Sequence, residues 1–139
     1  IGTSLTTSSD AAALDCAYKL QEYAGTPRRK KSEGKATWPG RKQVFRCYDG
    51  DGRMTGDTIA LESESGPAGA EALLKPVLRA GRRVDSMPTL EEIRGIAARN
   101  LAALPEPQRR LEEAASYPVT VSGGLKQLVA KMEQGVIGA

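Results

Sequence analysis

The chain of 139 residues predicts an α+β fold in which antiparallel strands come first and helices follow. Three observations carry this. The first half alternates apolar and polar residues with period two and is punctuated by turn dipeptides. A capping-box sequence, Thr89-Leu90-Glu91-Glu92, then opens an apolar stripe of helical period. The two kinds of segment do not alternate, as βαβ units would require. There is no internal repeat and no low-complexity tract.

Taken in order, Ser8, Ser9 and Asp10 are N-cap types and predict a brief helical turn over 11–13. Leu14, Cys16, Tyr18 and Leu20 face one way and Asp15, Lys19 and Gln21 the other, which predicts a strand, although Leu14, Ala17 and Tyr18 would also suit one face of a helix. Ala24-Gly25-Thr26-Pro27 predicts a turn, with 28–31 returning as the second strand of a hairpin. Gly and Pro punctuate 32–41, an expected irregular loop. Gln43 to Tyr48 has strand composition, Asp49-Gly50-Asp51-Gly52 is a tight-turn signal, and Met54 to Leu61 gives the next strand. Ser63 to Gly69 is a polar loop. Residues 71–79 look helical until Pro76, which an interior helical position does not tolerate. Leu74, Pro76 and Leu78 instead predict an edge strand. Leu90, Ile93, Ala97, Leu101 and Leu104 share one helical face, ended by Pro105-Glu106-Pro107. A short helix over 108–115, a strand over 117–121, and a final helix capped by Ser122 complete the chain. In the last helix Leu125, Leu128, Val129 and Met132 lie on one side.

Composition narrows the function. Aromatic residues usually dominate core energetics, and one Trp, one Phe and four Tyr are few for this length, so part of the core is expected to lie elsewhere. The net charge of +3 is too weak to demand a nucleic-acid or membrane partner. It is uneven, however. Arg28, Arg29, Lys30, Lys31, Lys35, Arg41, Lys42 and Arg46 crowd one stretch, and Asp49, Asp51, Asp57, Glu62 and Glu64 follow it. A solvated hairpin face is the ordinary reading of such a run; a nucleic-acid patch would want more interleaved aromatics than Trp38 and Phe45. Cys16 and Cys47 have no CxxC spacing and fit a reduced setting better than a disulfide. The sequence contains no His, which excludes a Ser-His-Asp triad within it and removes the commonest zinc ligand. The aspartates around Gly50 and Gly52 fail the calcium-loop spacing, since Ala60 stands where the twelfth-position Glu is required. Glu91 and Glu92 suit the first turn of a helix rather than a catalytic pair. Gly2-Thr3-Ser4 could cradle a phosphate, because small residues leave the backbone N–H groups open to an anion. By itself that tripeptide is more often a surface turn.

Taken together, the stretches resemble a known family. The order runs Gly2-Thr3-x-Leu5, then Tyr18-Lys19-Leu20-x-Glu22. Lys30-x-Ser32-x-x-Lys35-x-Thr37-x-Pro39-Gly40-x-Lys42-Gln43-Val44-x-Arg46 follows, and LPEPQRRLEEAASYPVTVSGGLKQLV closes it. It resembles the C-terminal part of bacterial nicotinate phosphoribosyltransferase over essentially the whole chain. The resemblance implies an irregular α/β barrel packed against an α/β sandwich made from both ends of the polypeptide. Residues 1–48 would then be the end of the barrel, with a phosphate loop and a hairpin. Residues 49–139 would be the C-terminal strands and helices of the sandwich region. The chain would begin at the end of one of the last barrel strands, where barrels bind phosphate.

The activity implied is the joining of nicotinate to phosphoribosyl pyrophosphate, giving nicotinate mononucleotide for NAD salvage, with ATP hydrolysed through a phosphohistidine. On this resemblance Thr3 contacts phosphoribosyl pyrophosphate, flanked by Gly2 and Ser4. No catalytic residue and no metal ligand lies in this chain, because the family's histidine and nicotinate clamps are upstream. The segment is therefore expected to be inactive alone and to hold no cofactor, with ATP and Mg serving the full-length enzyme. The expected partners are the upstream barrel portion of the same enzyme and a second copy in a homodimer; neither nucleic acid nor membrane is expected, and the setting is cytoplasmic. Exposed apolar patches from Leu14, Tyr18, Leu20, Val44 and Leu78 are expected where the barrel would sit. Ser32, Lys35 and Lys42 belong to the family pattern and could serve either ligand or fold. Two alternatives remain open at this stage. One is a non-catalytic binding module for a phosphorylated ligand or nucleic acid, and the other is a related phosphoribosyltransferase acting on nicotinamide or quinolinate.

Overall fold

A computed structural model of the chain describes residues 19–32 and 35–135. The predicted turn over 11–13, most of the strand predicted from Leu14, and Gly2, Thr3 and Ser4 lie outside the described residues. The first described pair is a hairpin of β1 (Glu22–Tyr23) and β2 (Thr26–Pro27). It closes earlier than predicted. Ala24 and Gly25 both take left-handed φ values, 47° and 75°, which makes a two-residue turn whose twist matches the strands. The return strand is therefore 26–27 rather than 28–31, and Arg28 N–H extends the pairing to the Gln21 carbonyl at 2.8 Å. The stretch expected to be an irregular loop contains a second small hairpin, β3 (Lys31–Ser32) with β4 (Lys35–Ala36).

The main sheet has four strands, in the order Val119–Val121 (β10), Met54–Leu61 (β6), Lys42–Tyr48 (β5) and Glu71–Ala72 (β7). Its centre is the predicted hairpin, β5 (Lys42–Tyr48) antiparallel to β6 (Met54–Leu61). The Asp49 carboxylate closes the turn, accepting from the N–H groups of Asp51 at 3.0 Å and Arg53 at 2.8 Å. A register shift at Cys47/Tyr48 brings Tyr48 opposite Met54. β7 (Glu71–Ala72) pairs antiparallel with β5 on one edge. The edge strand predicted through Leu74, Pro76 and Leu78 is not continuous. The Gln43 side chain instead takes over from the ladder, accepting from Leu74 N–H and donating to Leu74 C=O. Pro76, lacking an N–H, falls outside any strand, and the chain reverses in a separate hairpin, β8 (Leu78–Arg79) with β9 (Arg82–Arg83).

Helix α1 (Leu90–Ala103) begins with the predicted capping box: the Thr89 hydroxyl accepts from Glu92 N–H, and the Glu92 carboxylate accepts from Thr89 N–H. These bonds hold the Glu92 carboxyl below the usual carboxylate range. Replacing Thr89 with Ala should cost about 1 kcal/mol of helix stability, read as faster hydrogen exchange in the first turn of α1. The helix predicted over 108–115 is only a 3₁₀ turn, Glu106–Arg109, and residues 110–118 are irregular. β10 (Val119–Val121) then lies parallel to β6, with Val119 opposite Asp57, so the sheet is mixed. Helix α2 (Gly123–Glu133) follows at once, capped by Ser122, whose hydroxyl accepts from Leu125 N–H at 3.1 Å.

The core sits where α2 meets the sheet. Met54, Ala60 and Leu125 are its buried apolar residues, and Leu128, Val129 and Met132 are half-buried beside Leu125 as the helical period predicted. Gly40 is buried between Leu61 and Leu128: a Cβ there would lie 3.2 Å from a methyl of each, and its φ of 79° already favours glycine. Gly66 sits against the Phe45 ring, inside contact distance of any added Cβ. Gly66→Ala should therefore overpack this face and cost about 2 kcal/mol, measured as a lowered unfolding midpoint. By contrast, α1 buries none of its residues among the described part of the chain, and Leu90, Ile93, Ile96 and Leu101 all face solvent. Of the predicted apolar patch, Leu20 and Leu78 are exposed, Val44 is half-buried, and Leu14 and Tyr18 lie outside the described residues.

Candidate functional site

The basic stretch and the acidic stretch that follows it meet at the hairpin of β5 and β6, where Arg46 and Asp57 pair across the two strands. Arg46 on β5 is the register partner of Asp57 on β6. Its guanidinium holds the Asp57 carboxylate in a fork, Nε to Oδ1 at 2.9 Å and an Nη to Oδ2 at 2.7 Å. Tyr117 donates to the same carboxylate at 3.2 Å. Tyr48, on the far side of Arg46, donates to Glu71 at 2.7 Å. The row crosses the sheet from β7 to the approach of β10. The Arg46 hydrogen bonds hold the Asp57 carboxyl below the usual range, and Asp57 in turn raises the Arg46 pKa further above its ordinary value. Burial raises the Tyr117 phenol, and the hydrogen bond to Glu71 raises that of Tyr48. Nearby, Arg41 pairs with Glu62 at 3.1 Å in the open.

Glu64 fixes the start of α2. Its carboxylate accepts from the Ser122 hydroxyl at 2.6 Å, from Leu61 N–H at 2.8 Å and from Gly124 N–H at 3.1 Å. The Ser122 hydroxyl bond does most to hold this carboxyl below its ordinary range. A negative group at a helix N-terminus is also favoured by the helix dipole.

Lys42 resolves one question left open by the sequence. Its Nζ donates to the carbonyls of Trp38 at 2.8 Å and Gly40 at 2.7 Å, so it ties down the loop before β5. Burial holds its pKa below the ordinary lysine value, against the opposing field of Glu22. Lys42 serves the fold. Ser32 and Lys35 are register partners across β3 and β4.

One concavity is cationic. Lys19, Leu20, Pro27, Arg28, Arg29, Lys30 and Met132 surround an open volume of about 490 Å³. Arg28 and Lys30 expose their side chains, and neither has an ion pair among the described residues. Arg29 instead bridges across it, donating to Glu133 at 2.8 Å and to the Thr37 carbonyl at 3.1 Å. The arrangement suits an anion with several oxygens, because fixed cations on a concave wall offer charge-assisted hydrogen bonds. Among the described residues no group of three or more His, Cys, Asp or Glu gathers to hold a metal ion, and no helix is long and apolar enough to cross a membrane. Cys47 is a free thiol. The sequence reading missed the Arg46–Asp57–Tyr117 row and the Glu64 cap. The signal that could have found the first was the acidic run placed one hairpin turn after the basic run.

The described residues define a mixed α+β scaffold with one cationic hollow beside its closing helix. Residues 66–129 match the family described as nicotinate phosphoribosyltransferase C-terminal domain. The chain is 42% identical over 134 residues to nicotinate phosphoribosyltransferase pncB2 of Mycobacterium tuberculosis, an alignment covering 95% of this chain and 28% of that protein. It is 33% identical over 155 residues to the Bos taurus nicotinate phosphoribosyltransferase, covering 95% of this chain and 29% of that one. The crystal structure of human nicotinic acid phosphoribosyltransferase superposes with a TM-score of 0.73 at 30% identity, over 84% of this chain and 26% of the human one. Along almost its whole length the chain is similar to the C-terminal portion of nicotinate phosphoribosyltransferases, and it spans a little over a quarter of the length of these relatives.

Proposed function

We propose that the chain is the C-terminal part of an enzyme that joins nicotinate to phosphoribosyl pyrophosphate, with ATP hydrolysis, to form nicotinate mononucleotide. The observation that carries this is the 42% identity to the mycobacterial nicotinate phosphoribosyltransferase along 95% of the chain. In this reading Thr3 contacts the phosphoribosyl donor, with Gly2 and Ser4 flanking it, and residues 1–48 complete the barrel end while residues 49–139 supply the sandwich region. The chain itself supplies scaffold and a phosphate-contacting loop. The catalytic groups and the sites for ATP and Mg belong to the upstream portion of the same enzyme, which also covers the exposed face of α1. The working form is a homodimer in the cytoplasm. The use of Arg29, Arg41 and Arg46 in ion pairs counts against a nucleic-acid module, because those cations are already spent on the fold.

The test is an assay of nicotinate mononucleotide formation by the 139-residue chain alone and by the full-length polypeptide that carries it. Turnover by the full-length protein and none by the segment is the expected result. Turnover with nicotinamide or quinolinate in place of nicotinate would overturn the substrate assignment, and turnover by the segment alone would overturn the division of roles.

A further inference from the structure

Three consecutive cations, Arg28, Arg29 and Lys30, line the concavity beside α2. The backbone on either side of Arg29 is fixed. Arg28 N–H donates to Gln21 C=O at 2.8 Å, Lys30 N–H donates to the Thr37 hydroxyl at 3.0 Å, and Thr37 N–H donates to Lys30 C=O at 3.1 Å. Arg29 differs from its neighbours in what its side chain does. It is only 16% exposed, and it reaches from the hairpin to Glu133 in the last turn of α2, a residue 104 positions away, while its Nε holds the Thr37 carbonyl. Met132, next to Glu133, lines the same hollow. The Arg29 side chain thus spans the two walls of the concavity, one from the hairpin and one from the helix.

We infer that Arg29 is a positioning residue: by clamping the C-terminal end of α2 to the basic hairpin it holds Arg28 and Lys30 as a preorganised cationic rim for a polyphosphate group. The physical reason is entropic. Two long, exposed cations on a segment not tied to α2 would have to be brought into place against that wall when the anion binds, and a clamp that fixes the segment against the helix beforehand removes that cost. Two of its donors, Nε and one Nη, are held by the Thr37 carbonyl and Glu133, so Arg29 acts through the segment it anchors. The inference rests on the proposed phosphoribosyltransferase reading for the identity of the anion.

The experiment uses the full-length polypeptide and two variants, Arg29→Met, which keeps the apolar stem and removes charge and donors, and Arg29→Lys, which keeps the charge. Inorganic pyrophosphate binding is measured by calorimetry, and KM for phosphoribosyl pyrophosphate and kcat are measured in parallel. A clamp of this exposure is worth a roughly threefold to fivefold weakening. Pyrophosphate affinity and donor KM should both worsen by that factor in Arg29→Met, kcat should stay within about twofold, and Arg29→Lys should recover part of the loss. Unchanged pyrophosphate affinity in Arg29→Met, or absence of pyrophosphate binding by the parent protein, would overturn the inference. So would equal loss of kcat and thermal stability in both variants, the mark of a merely structural residue. If the parent protein binds pyrophosphate in the expected Arg29-dependent way but shows no turnover, the inference stands and the proposed reaction fails.

Discussion

Replacing Leu125 with Ala should destabilise the fold by about 3 kcal/mol, the largest single effect expected of any side chain described. Leu125 is 0% exposed and stands in the first turn of α2, where the helix meets the sheet. Among the described residues few apolar side chains are as buried, Met54, Ala60 and Pro39 being the others, so there is little neighbouring bulk to collapse into the gap. The cost of a large-to-small change grows with the cavity that remains. The effect should appear as a lower urea midpoint with an unchanged slope. A loss under about 1 kcal/mol would mean that α2 is held chiefly by its Glu64 and Ser122 cap rather than by burial.

The second large effect belongs to Asp57. Its side chain is 11% exposed and that of Arg46 22%, so removing the carboxylate leaves a guanidinium poorly hydrated and without its partner. Asp57→Ala should cost about 2 kcal/mol, less than for a fully buried pair because solvent still reaches both groups. The same residue gives the protein an acid-side pH dependence. Its native pKa lies below the ordinary value of 3.8 because Arg46 favours the charged form. The stabilisation is therefore complete above that ordinary value and is lost as the pH falls through the lower native one. In Asp57→Asn this part of the acid destabilisation should disappear, which unfolding curves taken down the acid range will show. A paired change, Arg46→Met with Asp57→Leu, should recover much of the loss, since filling the row with apolar volume avoids an unpartnered charge. If the paired change is as damaging as Asp57→Ala alone, the Tyr117 hydrogen bond matters more than the Arg46 fork.

Both effects act on the scaffold, and they bear on the proposed function through it. α2 carries Met132 and Glu133 to the cationic hollow, and the Glu64 cap and Leu125 decide where that helix starts. A protein with Leu125→Ala should therefore lose ordering at the hollow before the sheet itself opens.

Local chemistry was legible in the sequence wherever one short segment contains both partners of an interaction. The Asp49-Gly50-Asp51-Gly52 turn, the strands it joins, the Thr89–Glu92 capping box, the Ser122 cap and the apolar side of α2 all followed from spacing alone. The α+β order followed as well, because period and punctuation are local properties. The hairpin at Ala24-Gly25 was misplaced by two residues because a non-glycine in the left-handed region leaves only a weak trace in sequence. The helix predicted after Pro107 failed for a similar reason: helical residues alone do not form a helix without a packed face to stabilise it.

What only the tertiary structure decided was which distant groups meet. That β10 joins β6 in parallel, that Glu64 caps a helix beginning some 60 residues later, and that Arg29 finds Glu133 across 104 residues have no period or spacing to betray them. The basic run itself was plain to read, but its partition was not. Arg46 and Lys42 are bound into the fold, Arg41 pairs with Glu62 in the open, Arg29 bridges to a helix, and Arg28 and Lys30 have no ion pair among the described residues, although all six look alike in sequence. A charge acquires a role only from what the fold brings within a few ångströms of it, because both hydrogen bonding and the cost of burial depend on distance and solvent access rather than on residue type.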